Sequence, residues 1–242
     1  MQQARAVVTG GGSGIGAATA AALAREGWRV AIIDVDRDAA SRVARAHGPQ
    51  HLAVGANISS ESEVVAAFAE IAAQFGQIDA LATCAALLDT TPFLETKTDS
   101  FRRLHDVNVV GTFLAIREAT RSMPRGAAIC TLSSIAGLRG GGTVGTAAYA
   151  ATKGAVLALS KTAARALAPQ GIRVNCVAPG PTLTPMLQPH FAERRQKIED
   201  AIPLGRAGTP EEAAEAVAWL LSPRAGFING ATIVIDGGMV MY

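Results

Sequence analysis

Along the 242-residue chain, short runs that are apolar at nearly every position alternate with longer, alanine-rich stretches of helical character. The runs are ARAVVTG, WRVAIID, HLAVGAN, IDALATC, AAICTLSS, IRVNCVAPG and ATIVIDGG, and the helical stretches lie near 14–26, 36–47, 60–75, 98–122, 147–169 and 211–222. Strands that are apolar on both faces belong in a parallel sheet covered by helices on each side. The alternation therefore predicts an α/β fold: a Rossmann-type, doubly wound, seven-stranded parallel sheet with helices on both faces. No internal repeat and no Pro/Ser-rich linker divides the sequence, so residues 1–242 are expected to form a single domain.

One stretch breaks the alternation. Residues 184–205, TPMLQPHFAERRQKIEDAIPLG, form a long proline-containing insert before the last helix. Loops of this length in compact domains are usually functional. The expectation is a lid over a pocket, with a surface helical insert used for packing or oligomer contacts as the alternative.

Composition narrows the class. Hydrophobic residues make up 49% and charged residues 17% of the chain, enough for a large buried core. A net charge of +2, with no basic run interleaved with aromatics, gives no reason to expect a nucleic acid or membrane partner. No apolar run approaches the ~20 residues of a membrane-spanning helix. The N-terminus MQQARAVVTG shows no apolar secretory core. Cys84, Cys130 and Cys176 have no paired spacing and sit in or beside apolar runs, so they are expected as buried free thiols. These features together predict a cytoplasmic protein. No metal site is expected: His47 and His51 are separated by the helix-breaking Gly48-Pro49, and His105 and His190 stand alone.

The first candidate site is TGGGSGIG, residues 9–16, between the first strand and the first helix. Glycines let a backbone turn tightly and approach a pyrophosphate, and the helix N-terminus then offers unpaired N–H groups. The spacing is G-x-x-x-G-x-G at Gly10, Gly14 and Gly16, which by itself is also compatible with a structural turn. Asp34, at the end of the second strand, lies near the offset expected of a ribose-binding acid. Its carboxylate would accept from both ribose hydroxyls and repel a 2′-phosphate, while Ser13 and Val35 supply no cation to receive one. NAD(H) is therefore expected over NADP(H). Arg37 is the one nearby cation, read as a solvated residue of the following helix.

The second is YAATK. Tyr149 is the only internal tyrosine, and Lys153 follows four residues later, so the two share a helix face. A free phenol, with pKa near 10, is a poor base at neutrality. An ammonium about 5 Å away at an effective dielectric of about 20 would favour the phenolate by about 3 kcal/mol, roughly two pKa units. A phenol beside an ammonium therefore suggests acid–base chemistry.

TGGGSGIG, VNVVG at 107–111, LSSIAG at 132–137, YAATK at 149–153 and VAPG at 177–180 occur in one order, continuing to IDGG at 235–238. In this the chain resembles the compact short-chain dehydrogenase/reductase family over essentially its whole length. The resemblance implies a combined dinucleotide-binding and catalytic domain, with a catalytic tetrad of Asn108, Ser134, Tyr149 and Lys153. Tyr149 would exchange a proton with the substrate oxygen and Ser134 would position that oxygen. Lys153 would also hold ribose hydroxyls, and Asn108 would hold a water behind it. It further implies cofactor contacts from Gly10, Ser13, Gly14, Ile15, Gly16, Asp34, Val35, Asn57, Ile58, Cys84, Ala85, Ala86, Tyr149, Lys153, Pro179, Gly180, Thr182 and Thr184.

Three departures from the family pattern stand out. Asn57 replaces a usual Asp. Cys84-Ala85-Ala86 stands where Asn-Ala-Gly is common, removing an amide that braces the sheet. The connection GLRGGGTVGTAA before Tyr149 is slightly long, and Arg139 within it could meet a polar or anionic substrate or be a solvated loop residue. The resemblance implies NAD(H)-dependent interconversion of a secondary alcohol and a ketone, in a pocket expected from Leu87, Leu88, Phe93, Met186, Leu187 and Phe191. Arg125 also matches one carrier-docking arginine of 3-oxoacyl-acyl-carrier-protein reductases, which usually prefer NADPH. Gln170 replaces the second such arginine, and Asp34 argues against NADPH. A dinucleotide-binding scaffold without catalysis is the remaining alternative. Such enzymes are usually homotetramers, with helices near 98–122 and 147–169 at one interface and a tail such as MVMY at another.

Overall fold

The computed structural model describes residues 3–141 and 146–241, with residue 193 described by its backbone alone. Gly142 to Gly145, within the glycine-rich connection, and Tyr242 of the tail lie outside the described residues. Seven parallel strands form one sheet in the order β3-β2-β1-β4-β5-β6-β7. They are β1 (Arg5–Thr9), β2 (Arg29–Asp34), β3 (Leu52–Gly55), β4 (Ala80–Thr83), β5 (Ala128–Leu132), β6 (Arg173–Pro179) and β7 (Thr232–Ile235). Each falls inside one of the apolar runs. β1, β4 and β5 are buried at every residue, as central strands covered on both faces must be.

Two cores sandwich the sheet. On one face Val7, Ile33, Leu81 and Ile129 meet α3 (Glu61–Phe75), α5 (Gly111–Thr120) and α7 (Ala147–Leu167). On the other, Val8, Ile32, Ala82 and Cys130 meet α1 (Gly14–Arg25), α2 (Arg37–His47) and α10 (Pro210–Leu221). Adjacent residues on one strand thus serve opposite cores, which follows from the two-residue period of a strand.

The chain reverses its direction of winding between β1 and β4, which are paired Thr9 to Thr83. In sheets of this type the crevice at that reversal, beyond the carboxyl ends of the strands, receives the ligand.

Two expectations need refinement. The stretch near 98–122 is not one regular helix. α4 (Thr98–His105) runs into a π-helical turn at Asp106–Val110 before α5 begins. The bulge carries Asn108, and π-turns are frequent at functional sites. The 184–205 insert is helical throughout its middle: α8 (Gln188–Phe191), a 3₁₀ turn at Ala192–Arg194, and α9 (Arg195–Asp200). The buried residues Leu187, Ile198 and Ile202 anchor it. The remaining helix is the short α6 (Ile135–Arg139) after β5.

Candidate active site

A cavity of about 700 Å³ opens at the carboxyl ends of the strands. The glycine loop forms one wall. Gly10 and Gly14 adopt φ of +65° and +52°, which side-chain-bearing residues rarely do. A Cβ on Gly10 would lie 2.5 Å from the Ala85 backbone, and one on Gly16 would lie 2.1 Å from the Gly10 carbonyl oxygen. The loop therefore closes on itself and on the end of β4 only because these positions are glycine. Ser13 leads into α1, and Gly14, Ile15 and Gly16, in the first turn where a helix leaves its N–H groups unpaired, line the cavity.

Asp34 closes this end. Its Oδ2 accepts from the Gly12 amide at 2.8 Å and its Oδ1 from the Asp36 amide at 3.0 Å. Val35 is exposed beside it. The Arg37 side-chain stem packs on Gly55. Asn57 lines the cavity, but its Oδ1 is occupied by the Ser59 amide and hydroxyl at 3.1 and 2.8 Å, so its NH₂ is what it offers. Ile58, Cys84, Ala85, Ala86, Pro179, Gly180, Thr182 and Thr184 also line the cavity. Helix-terminal donors, a carboxylate at the strand end and a glycine cradle form a donor set that fits a dinucleotide.

Ser134, Tyr149 and Lys153 line the same cavity. β5 delivers Ser133 and Ser134 at its end. Ser133 Oγ donates to the Lys153 carbonyl at 2.7 Å, tying the strand end to α7. Ser134 caps α6, accepting from the Ala136 amide at 3.1 Å, and its hydroxyl donates to the Pro179 carbonyl at 3.4 Å. A Cβ on Gly137 would meet the Lys153 carbonyl carbon at 2.5 Å and the Gly154 nitrogen at 2.6 Å. That close approach of α6 to α7 brings the serine towards the tyrosine.

Electrostatics within the protein differ from the sequence expectation. Burial pushes the Tyr149 phenol up to about 12, and a hydrogen bond with Ser134 pulls the other way. Lys153 Nζ lies 5.7 Å from the Tyr149 ring centre and donates to the Leu132 carbonyl at 2.8 Å. Burial pushes its own pKa down to about 8. The expectation that this ammonium lowers the phenol is therefore corrected: loss of solvation dominates both groups.

Asn108 is buried and does not line the cavity. Its Oδ1 accepts from the Leu87 amide at 2.7 Å. Its Nδ2 donates to the Leu87 carbonyl and to Thr152 Oγ1, both at 3.0 Å. Thr152 in turn donates to the Tyr149 carbonyl at 2.8 Å. The asparagine thus joins the π-turn, the segment after β4 and the first turns of α7, and its side chain is spent on that joint.

Of the expected substrate-side residues, Leu87, Leu88, Met186 and Leu187 line the cavity. Phe93 and Phe191 do not. Phe93 is 75% exposed on a 3₁₀ turn, and the Arg195 guanidinium lies over the Phe191 ring at 5.9 Å. Sequence reasoning missed Ile198 and Met239, which also line it. Ile198 is on the inner side of α9, legible only once the insert is helical. Met239 is held because Asp236 accepts from the Gly238 and Val240 amides at 2.9 and 2.7 Å.

His51 serves the fold: its Nδ1 accepts from the Val30 amide at 3.1 Å. All three cysteines are free thiols, Cys130 and Cys176 buried and Cys84 half-buried. Among the described residues, no group of His, Cys, Asp or Glu is arranged to hold a metal ion, and no helix is long and apolar enough to cross a membrane.

A glycine cradle at the winding reversal, with a serine, a tyrosine and a lysine converging on one cleft, defines a dinucleotide-binding oxidoreductase. Residues 10–240 match the family model described as enoyl-(acyl carrier protein) reductase. The chain is 37% identical over 242 residues to 3-oxoacyl-(acyl-carrier-protein) reductase FabG of Staphylococcus aureus, covering 98% of both proteins. It is 39% identical over 238 residues to cis-4-hydroxycyclohexanecarboxylate dehydrogenase of Sinomonas cyclohexanicum, covering 96% of this chain and 95% of that one. A crystal structure from Brucella melitensis, described as a short-chain dehydrogenase/reductase of glucose/ribitol dehydrogenase type, superposes with a TM-score of 0.94 at 33% identity, covering 99% of this chain and 97% of that one. The chain belongs to the short-chain dehydrogenase/reductase family.

Proposed function

We propose that the protein is an NAD(H)-dependent oxidoreductase that interconverts a secondary alcohol and a ketone. The observation that carries this is the convergence of Ser134, Tyr149 and Lys153 on the cavity that the glycine loop and Asp34 also line. When bound, a nicotinamide dinucleotide supplies the hydride acceptor or donor. The glycine loop and the α1 N-terminus hold its phosphates, and Asp34 accepts from ribose hydroxyls. Among the described residues Asp34 accepts from backbone amides and has no ion-pair partner, which favours NAD(H) over a 2′-phosphorylated cofactor. Cys84, Ala85, Ala86, Ile58, Pro179, Gly180, Thr182 and Thr184 complete the walls around it.

Each chain residue then has a defined task. Ser134 donates a hydrogen bond to the substrate oxygen and orients it. Tyr149 Oη takes the hydroxyl proton in oxidation and returns it in reduction. Lys153 keeps positive charge beneath the phenol, and two of its N–H groups remain available for ribose hydroxyls beyond the one given to Leu132. Asn108 acts as a positioning residue, through Thr152, on the turn that carries Tyr149. The insert 184–205 serves as a lid whose inner face is Met186, Leu187 and Ile198. The particular alcohol is addressed by the relatives' names, which include a cyclic hydroxy acid and an acyl-carrier ketone.

Tyr149→Phe removes the proton-transfer oxygen and little volume. Turnover of secondary alcohols with NAD is expected to fall by about 10²- to 10⁴-fold while dinucleotide binding persists. Unchanged turnover would sink the assignment.

A second reading is an NADPH-dependent 3-oxoacyl-acyl-carrier-protein reductase, favoured by the Staphylococcus relative. Arg125 is exposed and donates to the Pro169 carbonyl at 3.1 Å, beside Gln170, so one cation is available for an acidic carrier. Asp34 weighs against it, and turnover with NADPH tenfold or more above NADH would reverse the preference. The family habit and the exposed Phe101 and Phe113 support a homotetramer, which a light-scattering mass of one subunit would exclude.

A further inference from the structure

We propose that Arg139 recognises a carboxylate, and that the substrate is a hydroxy or oxo acid whose carboxylate lies several carbons from the reacting centre. This rests on the roles given above to Ser134 and Tyr149. α6 is capped by Ser134 and ends at Arg139, and both residues line the cavity. Five residue steps of helix separate their Cα atoms by about 7.5 Å along the axis. The Gly137 contact with the α7 backbone fixes α6, so this spacing is built into the site.

Arg103, on α4, and Arg139 both line the cavity, and of the two Arg139 is the one carried by the helix that Ser134 caps. Among the described residues the acids lining the cavity are Asp34, Asp99 and Asp106, carried by β2, α4 and the π-turn. Arg102 is paired with Asp99 at 3.6 Å, and Lys153 is bonded to Leu132. Among the described residues Arg139 has no hydrogen-bond or ion-pair partner. Leu87, Leu88, Met186 and Met239, which line the same cavity, are apolar. A guanidinium at the rim of an apolar pocket is shaped to take a carboxylate bidentately. The simpler role for an arginine in the last turn of a helix is to complement the helix dipole. That role predicts no discrimination between charged and neutral substrates, which separates the two.

The test measures kcat/KM for 4-hydroxycyclohexanecarboxylate and its methyl ester with NAD, in wild type and Arg139→Gln. The acid is expected to lose about 10- to 100-fold in kcat/KM, mainly through KM, and the ester to change less than twofold. Arg139→Lys should recover part of the loss. Equal losses for acid and ester, an unaffected acid, or a wild-type preference for the ester would overturn the proposal. A second arm measures calorimetric binding of cyclohexanecarboxylate to wild type, Arg139→Gln and Tyr149→Phe in the presence of NAD. Binding weakened at least tenfold by Arg139→Gln and kept by Tyr149→Phe supports the proposal even if no alcohol is turned over, in which case only the catalytic assignment fails. Binding that does not depend on Arg139, or no binding, overturns it. Arg139 is exposed, so its substitution leaves the fold intact, which a melting curve checks.

Discussion

The Lys153 ammonium stands 5.7 Å from the centre of the Tyr149 ring and is anchored to the Leu132 carbonyl, with Lys153 buried and Tyr149 half-buried at the same cleft. Burial acts on them in opposite directions along the pH scale, because one is charged when protonated and the other when deprotonated. The protein alone therefore holds a neutral phenol beside a lysine that loses its proton easily. A positive nicotinamide is the kind of charge that would tip the phenol towards ionisation.

The chain has two tyrosines, so ultraviolet titration reads Tyr149 almost directly once Tyr242 is replaced by Phe. The remaining phenol is expected to ionise near its shifted value of about 12. Oxidised dinucleotide should lower that midpoint by one unit or more. Between the ordinary value of 10 and about 12, the native state keeps a proton that the unfolded chain has lost, so this group's contribution to stability falls as pH rises through that window. A midpoint at 10 without ligand would show that the phenol is hydrated.

Lys153→Met should abolish turnover and yet stabilise the ligand-free fold at neutral pH. The native pKa of about 8 lies below the ordinary 10.5, so burying the charge costs about 3 kcal/mol below pH 8. The unfolded chain binds more protons between about 8 and 10.5, so wild-type stability should rise with pH there, while the variant lacks that rise. The lost bond to the Leu132 carbonyl offsets part of the gain. Denaturant midpoints at pH 7 and pH 10 provide the measurement, and a variant less stable than wild type at pH 7 would contradict it.

Asp34→Ala removes the acceptor for two backbone amides and the charge at the ribose end. It should lower kcat/KM with NADH about tenfold or more and raise it with NADPH, a shift of several kcal/mol in relative preference at most. Steady-state assays with both cofactors decide it. A fall by the same factor with both would remove Asp34 from cofactor choice.

Gly137→Ala and Gly154→Ala should behave oppositely although the two glycines face each other. A methyl on Gly137 collides with backbone at 2.5 Å and must separate α6 from α7, costing about 1–3 kcal/mol and displacing Ser134. A methyl on Gly154 meets only the Gly137 carbonyl at 3.4 Å, and helix propensity gains up to about 1 kcal/mol. Thermal melts and turnover of both variants test the pair.

The sheet was legible because seven runs apolar on both faces leave few other architectures, and the glycine loop and YAATK announced their chemistry by residue type. Other features depend on three-dimensional closure. The π-turn at Asp106–Val110 leaves no propensity signal in VNVV, so Asn108 was placed on an ordinary helix and its side chain assigned outward work. Phe93 and Phe191 looked like pocket walls by hydrophobicity alone, but Phe93 sits on a 3₁₀ turn and Phe191 ends the four-residue α8, elements too short for sequence periodicity to set their direction. The phenol's ionisation was misjudged because a pairwise charge estimate omits the loss of solvation, which is known only once burial is known.

Asp236 is absent from the cavity wall, yet by gathering the amides of Gly238 and Val240 it decides where the Met239 thioether sits. Selectivity can therefore drift through a residue that no ligand touches. A search for variants with altered alcohol preference that samples only the cleft would overlook a position able to reshape one side of it while leaving the nucleotide end untouched.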